Sequence, residues 1–161
     1  MSFSVADHAF MAHALQLARR GMYSTTPNPR VGCIIVRNAK VIGAGWHEKA
    51  GLPHAEAGAL EALVGVGDTA NGATAYITLE PCSHFGRTPP CADALIEAGI
   101  ARVVAAMKDP NPLVAGKGLA RLAAAGIDVA SGLLEAEAND LNIGFVSRMT
   151  RGRPWLRLKV A

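Results

Sequence analysis

Four side chains in the middle of the sequence form a set that could carry out metal-dependent chemistry. His54 and Glu56 are separated by one residue, Cys82 follows Pro81, and Cys91 comes nine positions after Cys82. One imidazole and two thiolates suit Zn²⁺, and three protein ligands leave the fourth tetrahedral position open for water. The sequence therefore predicts a catalytic zinc site with His54, Cys82 and Cys91 as its ligands.

Glu56 is predicted to be the catalytic carboxylate of this site, because a further ligand would fill the open position. Zinc brings the ionisation of a bound water close to neutral pH, and a neighbouring carboxylate can move protons between that water and a ring. The pattern H-x-E…P-C-x-x-C is typical of zinc deaminases that act on nucleobases. The sequence matches it except at Cys91, which comes later than the short cysteine spacing requires.

Two alternatives to a catalytic site are open at this point. A closed structural zinc site would need a fourth ligand, which His47 or His84 could provide. A catalytically inactive zinc module that serves as a scaffold would also keep the ligands, although it would have no need of Glu56. If the site is catalytic, a deaminase that acts on cytidine, guanine or a tRNA adenosine is also possible, but such enzymes usually carry the short cysteine spacing.

The segment that joins the two cysteines, PCSHFGRTPPC, resembles the deaminase domain of the bifunctional bacterial riboflavin-biosynthesis enzymes. The resemblance covers essentially the whole chain, since further similar segments follow in the same order: TTPNPRVGCIIV, GLPHAEAGAL, DPNPLVAGKG and LNIGFVSRM. It implies hydrolytic deamination of 2,5-diamino-6-ribosylamino-4(3H)-pyrimidinone 5′-phosphate at C2. The products would be ammonia and the corresponding pyrimidinedione.

Six residues are predicted to contact this substrate. Asn28 lies between Pro27 and Pro29, which restrict its backbone, and its amide can read a pyrimidinone edge or a sugar hydroxyl. The resemblance places His47 and His84 at the border of the pocket. Arg87 is predicted to bind the phosphate, and Asp109 and Asn111 are predicted to contact the ribose or the phosphate.

Each of these assignments has a simpler alternative. Asn28, Asp109 and Asn111 could stabilise turns, Arg87 could be a solvated surface arginine, and the two histidines could make ordinary loop hydrogen bonds. Glu80, next to Pro81, is predicted to structure its loop.

The elements that must position these residues alternate between strands and helices, which predicts an α/β fold, a three-layer α/β/α sandwich. The resemblance implies a mixed five-stranded sheet of the cytidine deaminase-like type. Ser4 and Asp7 resemble a capping box before a first amphipathic helix. The strands are predicted at 31–36, 40–46, 73–79, 102–107 and 127–130, and the later helices at 54–63, 91–98, 118–125 and 133–148.

The resemblance also predicts the domain organisation. Residues 1–150 would form the zinc-dependent deaminase domain, and residues 151–161 would be a linker or the start of a truncated C-terminal reductase domain. NADPH would be a cofactor only if a full reductase domain follows in the native protein, so a fused reductase is an expected partner.

Composition restricts the remaining function classes. The chain has 161 residues, 50% of them hydrophobic, a formal charge of +3 and no basic cluster. No apolar run approaches the roughly 18 residues of a membrane span, and there is no signal-peptide pattern. We therefore expect a cytoplasmic enzyme with a small-molecule substrate and no nucleic-acid or membrane partner. Folds of this kind often form homo-oligomers.

Overall fold

A computed structural model describes residues 2–84 and 89–160. A mixed five-stranded sheet lies at its centre, in the order β2-β1-β3-β4-β5. The strand β1 pairs antiparallel with both β2 and β3, whereas β3, β4 and β5 run parallel. The strands are β1 Gly32–Arg37, β2 Lys40–Trp46, β3 Thr74–Ile77, β4 Arg102–Ala105 and β5 Asp128–Ser131.

Helices of the described residues pack on both faces of the sheet and confirm the three-layer α/β/α sandwich. Alternate strand residues face opposite sides, so the sheet supports two apolar cores. One core joins Ile34 and Val104 to the first and fifth helices, and the other joins Ile35 and Val103 to the second, third and fourth. The helices are α1 Val5–Arg19, α2 Ala55–Gly65, α3 Cys91–Glu97, α4 Lys117–Ala124, α5 Glu135–Leu141 and α6 Ile143–Arg151.

The capping box predicted for the first helix is confirmed. The side chain of Ser4 accepts the backbone N–H of Asp7, and the Asp7 carboxylate accepts the backbone N–H of Ser4 at 2.8 Å. Asp7 also accepts hydrogen bonds from Tyr76 and Arg102. The start of α1 is thereby fixed to β3 and β4 by a polar network around the buried Asp7 carboxylate.

The second helix lies directly against β2 because that strand contains glycines on the facing side. A Cβ atom at Gly45 would lie 2.4 Å from the carbonyl oxygen of Ala55 and 2.5 Å from the backbone nitrogen of Ala59. The absence of a side chain at Gly45 therefore lets the first turn of α2 approach the sheet. This close contact sets the depth at which His54 and Glu56 enter the site.

The last predicted helix, Leu133–Arg148, is wrong as a single element. The structure has two helices, α5 and α6, separated at Asn142, whose φ of −110° and ψ of 19° are not helical. The Asn142 side chain is fully buried and hydrogen-bonded to the backbone of Arg30. This long-range contact, which local helix propensity does not reveal, accompanies the break.

Within the described residues, none of the helices combines the length and apolar character needed to cross a bilayer.

Candidate metal centre and active site

A cavity of about 300 Å³ opens at the edge of the sheet where β3 and β4 end and β1 begins. The loops that follow β3 and β4 form one side of it, and the loop that precedes β1 forms another. Ligands of open α/β sheets commonly bind at this type of edge. The cavity is lined by Asn28, Pro29, Val31, His47, His54, Ala55, Glu56, Leu79, Glu80, Cys82, His84, Asp109, Asn111, Val114, Phe145 and Met149.

His54 and Cys82, which line this cavity, come together with Cys91. Their ligand atoms all lie within 4.8 Å of one another. The Nδ1 atom of His54 lies 3.2 Å from Sγ of Cys91 and 3.7 Å from Sγ of Cys82. Ligand atoms on a tetrahedral zinc ion would be about 3.5–3.8 Å apart, so the group fits zinc with only small adjustments.

Two helix starts bring these three residues together. His54 precedes the first residue of α2, and Cys91 is the first residue of α3. Cys82 lies on the loop after β3, where its Sγ accepts the backbone N–H of Cys91 at 3.3 Å. The three candidate ligands therefore come from two helix starts and from the loop after a strand, as predicted.

The electrostatics of the group favour a thiolate even without a metal. The hydrogen bond from the Cys91 thiol lowers the pKa of Cys82 to about 4, helped by His54 and the Cys91 backbone and opposed by burial. The same hydrogen bond, together with burial, raises the pKa of Cys91. Bound Zn²⁺ stabilises the thiolate form of both ligands.

Neither His47 nor His84 belongs to the three-residue group in the described part of the chain. Nδ1 of His47 donates to the carbonyl oxygen of Pro53 at 3.1 Å, and its Nε2 accepts the Asn28 side-chain N–H at 3.1 Å. Its ring lies nearly perpendicular to that of His54, with centroids 5.6 Å apart. Both nitrogens of His47 are thus engaged by the protein, which argues against a fourth ligand from this residue.

Glu56 lies in the first turn of α2, beside the metal ligands, and only 4% of its surface is exposed. Burial raises its pKa to about 7, and the nearby Cys82 thiolate contributes in the same direction. A carboxyl group with a pKa near neutrality can both take up and release a proton. Glu56 is therefore well suited to proton transfer within the cavity.

The structure confirms the prediction that Glu80 organises a loop. Its buried carboxylate accepts four backbone N–H groups, those of Asp109, Gly116, Gly118 and Leu119. The segment after β4 is thereby fixed beside the loop that carries Cys82. Burial raises the pKa of Asp109, and the charge of Glu80 raises it further.

Most of the predicted site residues meet in this cavity. Cys91 belongs to the metal centre but does not line the cavity, and Arg87 lies outside the described residues. Phe145 and Met149 line the cavity although the sequence analysis missed them. Their i, i+4 spacing on α6 is the available signal, but an apolar pair of this kind usually indicates a core-facing helix surface.

Comparisons with known proteins agree with this site. The family model for the cytidine and deoxycytidylate deaminase zinc-binding region matches residues 4–107. The riboflavin biosynthesis protein RibD of Escherichia coli strain K12 is 59% identical over 154 residues, which are 96% of this chain and 41% of the relative. A diaminohydroxyphosphoribosylamino-pyrimidine deaminase of Buchnera aphidicola subsp. Schizaphis graminum is 50% identical over 92% of this chain and 99% of its own length.

A solved structure of a relative has the same fold as this chain. The diaminohydroxyphosphoribosylaminopyrimidine deaminase/5-amino-6-(5-phosphoribosylamino)uracil reductase of Thermotoga maritima is 41% identical, with a TM-score of 0.90. The match covers 93% of this chain and 43% of that one. The chain thus spans about two fifths of the longer relatives and nearly all of the Buchnera protein.

Proposed function

The chain belongs to the cytidine and deoxycytidylate deaminase family, and we propose that it is the zinc-dependent deaminase of riboflavin biosynthesis. The substrate would be 2,5-diamino-6-ribosylamino-4(3H)-pyrimidinone 5′-phosphate. Water replaces the exocyclic amine at C2, which yields the pyrimidinedione and ammonia. Support for this substrate comes from the Buchnera deaminase, whose name states the same chemistry and whose length this chain almost matches.

The observation that carries the proposal is the position of a buried glutamate beside a three-ligand metal group. His54, Cys82 and Cys91 form the ligand group, and Glu56 lines the same cavity as His54 and Cys82. Three ligands leave one tetrahedral position for a reactant, whereas structural zinc sites are closed by a fourth protein ligand. This arrangement favours hydrolysis over a scaffold function.

In the proposed mechanism, Glu56 handles the protons. Zinc, when bound, supplies a water molecule that is nucleophilic at neutral pH. Glu56 accepts a proton from this water and delivers one to the ring nitrogen adjacent to C2 while the carbon–oxygen bond forms. Glu56 then takes the remaining proton from the new C2 hydroxyl group and transfers it to the amine, so that the carbon–nitrogen bond breaks and ammonia leaves as the C2 carbonyl is established. The low exposure of Glu56 keeps these transfers away from bulk solvent.

The polar residues around the cavity are proposed to orient the substrate. Asn28 would read the pyrimidinone edge, and His47, which also lines the cavity, supports it by accepting its amide N–H. His84, Asp109 and Asn111 would contact the ribosyl phosphate from the opposite loops. Arg87 completes the proposed set as the ligand of the phosphate.

A fused reductase is a further part of the proposal for the native protein. The Thermotoga relative is named as a reductase as well as a deaminase, and more than half of that chain lies outside the matched part. NADPH would belong to that reductase domain alone, and residues 1–150 would be the deaminase domain. The deamination itself needs none of the groups of such a domain.

Ammonia release from alternative substrates tests the proposal. The purified chain, loaded with one equivalent of zinc, is offered the phosphorylated diaminopyrimidine and, in separate reactions, cytidine and guanine. We expect ammonia only from the first, with loss of activity on chelation and recovery with added zinc. Release from cytidine or guanine alone would assign a different base, and no release from any of them would favour the inactive scaffold.

A further inference from the structure

The loop that carries Asn28 is hydrogen-bonded to the junction between α5 and α6. The fully buried side chain of Asn142 pairs with both backbone groups of Arg30. Its Oδ1 accepts the Arg30 N–H at 2.8 Å, and its Nδ2 donates to the Arg30 carbonyl oxygen at 2.9 Å. One side-chain amide thus fixes the backbone two residues after Asn28.

Two arginines strengthen the same connection. The guanidinium of Arg30 donates to the carbonyl oxygens of Met22 at 2.9 Å and Leu141 at 2.9 Å. Arg148, on α6, donates to the carbonyl oxygen of Pro27 at 2.8 Å. Asn28 therefore stands between two backbone positions that are both hydrogen-bonded to the C-terminal helical segment.

The segment held in this way also supplies a wall of the cavity. Phe145 and Met149, both on α6, line the cavity together with Asn28. The Asn142–Arg30 pair consequently fixes the position of Asn28 relative to Phe145 and Met149 across the cavity. Both helices lie beyond residues 4–107, the part that matches the general zinc-binding region.

From these contacts we infer that Asn142 is a positioning residue for substrate recognition, acting through the backbone of Arg30 on Asn28. The inference rests on the proposed function and adds to it a specificity element, α5 and α6, outside the zinc-binding region. Asn142 touches neither the metal ligands nor the cavity and has no part in proton transfer. Its effect is to hold the Asn28 amide at a fixed distance from the ligand. A displacement of about 1 Å at such a contact can reduce the rate by about a hundredfold.

The test compares three variants of the zinc-loaded protein. Asn142→Leu keeps the approximate volume but leaves the Arg30 N–H and carbonyl without partners. Arg148→Met removes the hydrogen bond to Pro27 at an exposed position, where the substitution should not prevent folding. Tyr76→Phe is the matched control, because it removes one buried hydrogen bond, to Asp7, at a site away from the cavity.

We expect changes in KM that do not follow the changes in thermal stability. Asn142→Leu should raise KM at least about tenfold per zinc-loaded molecule, and Arg148→Met should raise it by about threefold with an unchanged Tm. Tyr76→Phe should lower Tm and leave KM and kcat as they are. Hydrogen exchange at residues 28–31 should become faster in Asn142→Leu and stay unchanged in Tyr76→Phe.

Two results would overturn the inference. The first is a loss of Tm in Asn142→Leu with wild-type KM and kcat, which would make the contact purely structural. The second is unchanged hydrogen exchange at residues 28–31, which would show that the loop does not depend on Asn142. If wild-type protein released no ammonia, the proposed function would fail while the exchange measurement still decided the role of Asn142. Should Asn142→Leu not fold, an unchanged KM in Arg148→Met would count against the inference.

Discussion

The carboxylate of Glu80 accepts the backbone N–H of Asp109 at 3.0 Å, and this contact joins the loop of Cys82 to the loop of Asn111. Each carboxylate oxygen accepts two N–H groups, so the residue acts as a four-fold acceptor for one segment. An amide side chain has only one acceptor oxygen. One buried carboxylate therefore connects the metal side of the cavity to the proposed ribosyl-phosphate side.

Glu80→Gln should destabilise the protein and weaken substrate binding. The amide nitrogen of glutamine would face two backbone N–H groups, and each unsatisfied group costs about 1–3 kcal/mol. We expect a clear decrease in Tm, an increase in KM and an unchanged zinc content. Glu137→Gln is the matched control, because Glu137 is exposed on the first turn of α5. An unchanged KM in Glu80→Gln would show that the loop after β4 does not need this carboxylate for binding.

Gly118→Ala should disturb the metal centre from a position that touches none of its ligands. A Cβ atom at Gly118 would lie 1.9 Å from the carbonyl oxygen of Pro81, directly before Cys82. Either α4 or the Pro81–Cys82 backbone must therefore move. The expected outcome is weaker zinc retention in competition with a chelator, together with a lower Tm.

Gly65→Ala provides the comparison, since no atom lies within 4 Å of the added Cβ. It lies at the end of α2, so alanine should leave stability unchanged or raise it by up to about 1 kcal/mol. Equal zinc retention in the two variants would contradict a coupling between α4 and Cys82.

Local patterns in the sequence account for most of the fold. The Ser4 capping box, the β-branched run of β1 and the Asn38-Ala39 turn each specify an element through neighbouring residues, and all three are present in the structure. The convergence of His54, Cys82 and Cys91 was equally predictable, because their residue types and spacing suit a metal ion. In these regions the local signal and the tertiary structure agree.

The break at Asn142 could not be predicted because its cause is not local. One asparagine, although a weak helix former, is too small a signal to place a break in a helical pattern, and the backbone of Arg30 that holds the Asn142 side chain lies 112 positions away. The cavity wall formed by Phe145 and Met149 was missed for a related reason. An apolar pair on a helix looks the same in sequence whether it faces a core or a ligand.

Asp7→Asn should reduce the dependence of stability on pH in the acid range. Burial alone would raise the pKa of Asp7, but hydrogen bonds from Tyr76, Ser4 and Arg102 outweigh it and hold the pKa well below its usual value. A lowered folded-state pKa contributes stability above the unfolded pKa of about 3.9, and this contribution is lost as the pH falls below that value. The measurement is urea unfolding between pH 7 and pH 3.

The variant should be less stable than wild type at pH 7, and the difference should shrink as the pH falls. Asp140→Asn, at an exposed position of α5, serves as the control and should follow the wild-type curve. Because all three proteins share the same metal ligands, acid-induced metal loss affects them alike. A constant difference between Asp7→Asn and wild type across this range would contradict the lowered pKa.

Arg87→Ala should weaken binding of the 5′-phosphorylated substrate more than binding of its dephosphorylated analogue. A guanidinium offers a planar pair of donors that matches a phosphate, and its loss removes that interaction only when the phosphate is present. We expect KM to rise by at least about tenfold for the phosphorylated compound, because charge-assisted hydrogen bonds of this type are worth about 1.5–3 kcal/mol. Arg19→Ala, at an exposed position of α1, controls for the overall loss of charge. Equal weakening for both compounds would remove Arg87 from the phosphate site.

Glu56→Gln should keep the metal and abolish deamination. The substitution preserves the size of the side chain, and Glu56 is not one of the three residues whose ligand atoms converge. Zinc analysis should therefore give the wild-type stoichiometry. The amide can neither accept the proton of the attacking water nor pass it to the ring and the leaving amine, so kcat should fall by about 10²–10⁴-fold. His54→Ala is the opposite control, because it should lose both zinc and activity. Substantial ammonia release by zinc-loaded Glu56→Gln would assign proton transfer to another group, and zinc loss in that variant would indicate a structural role for the carboxylate.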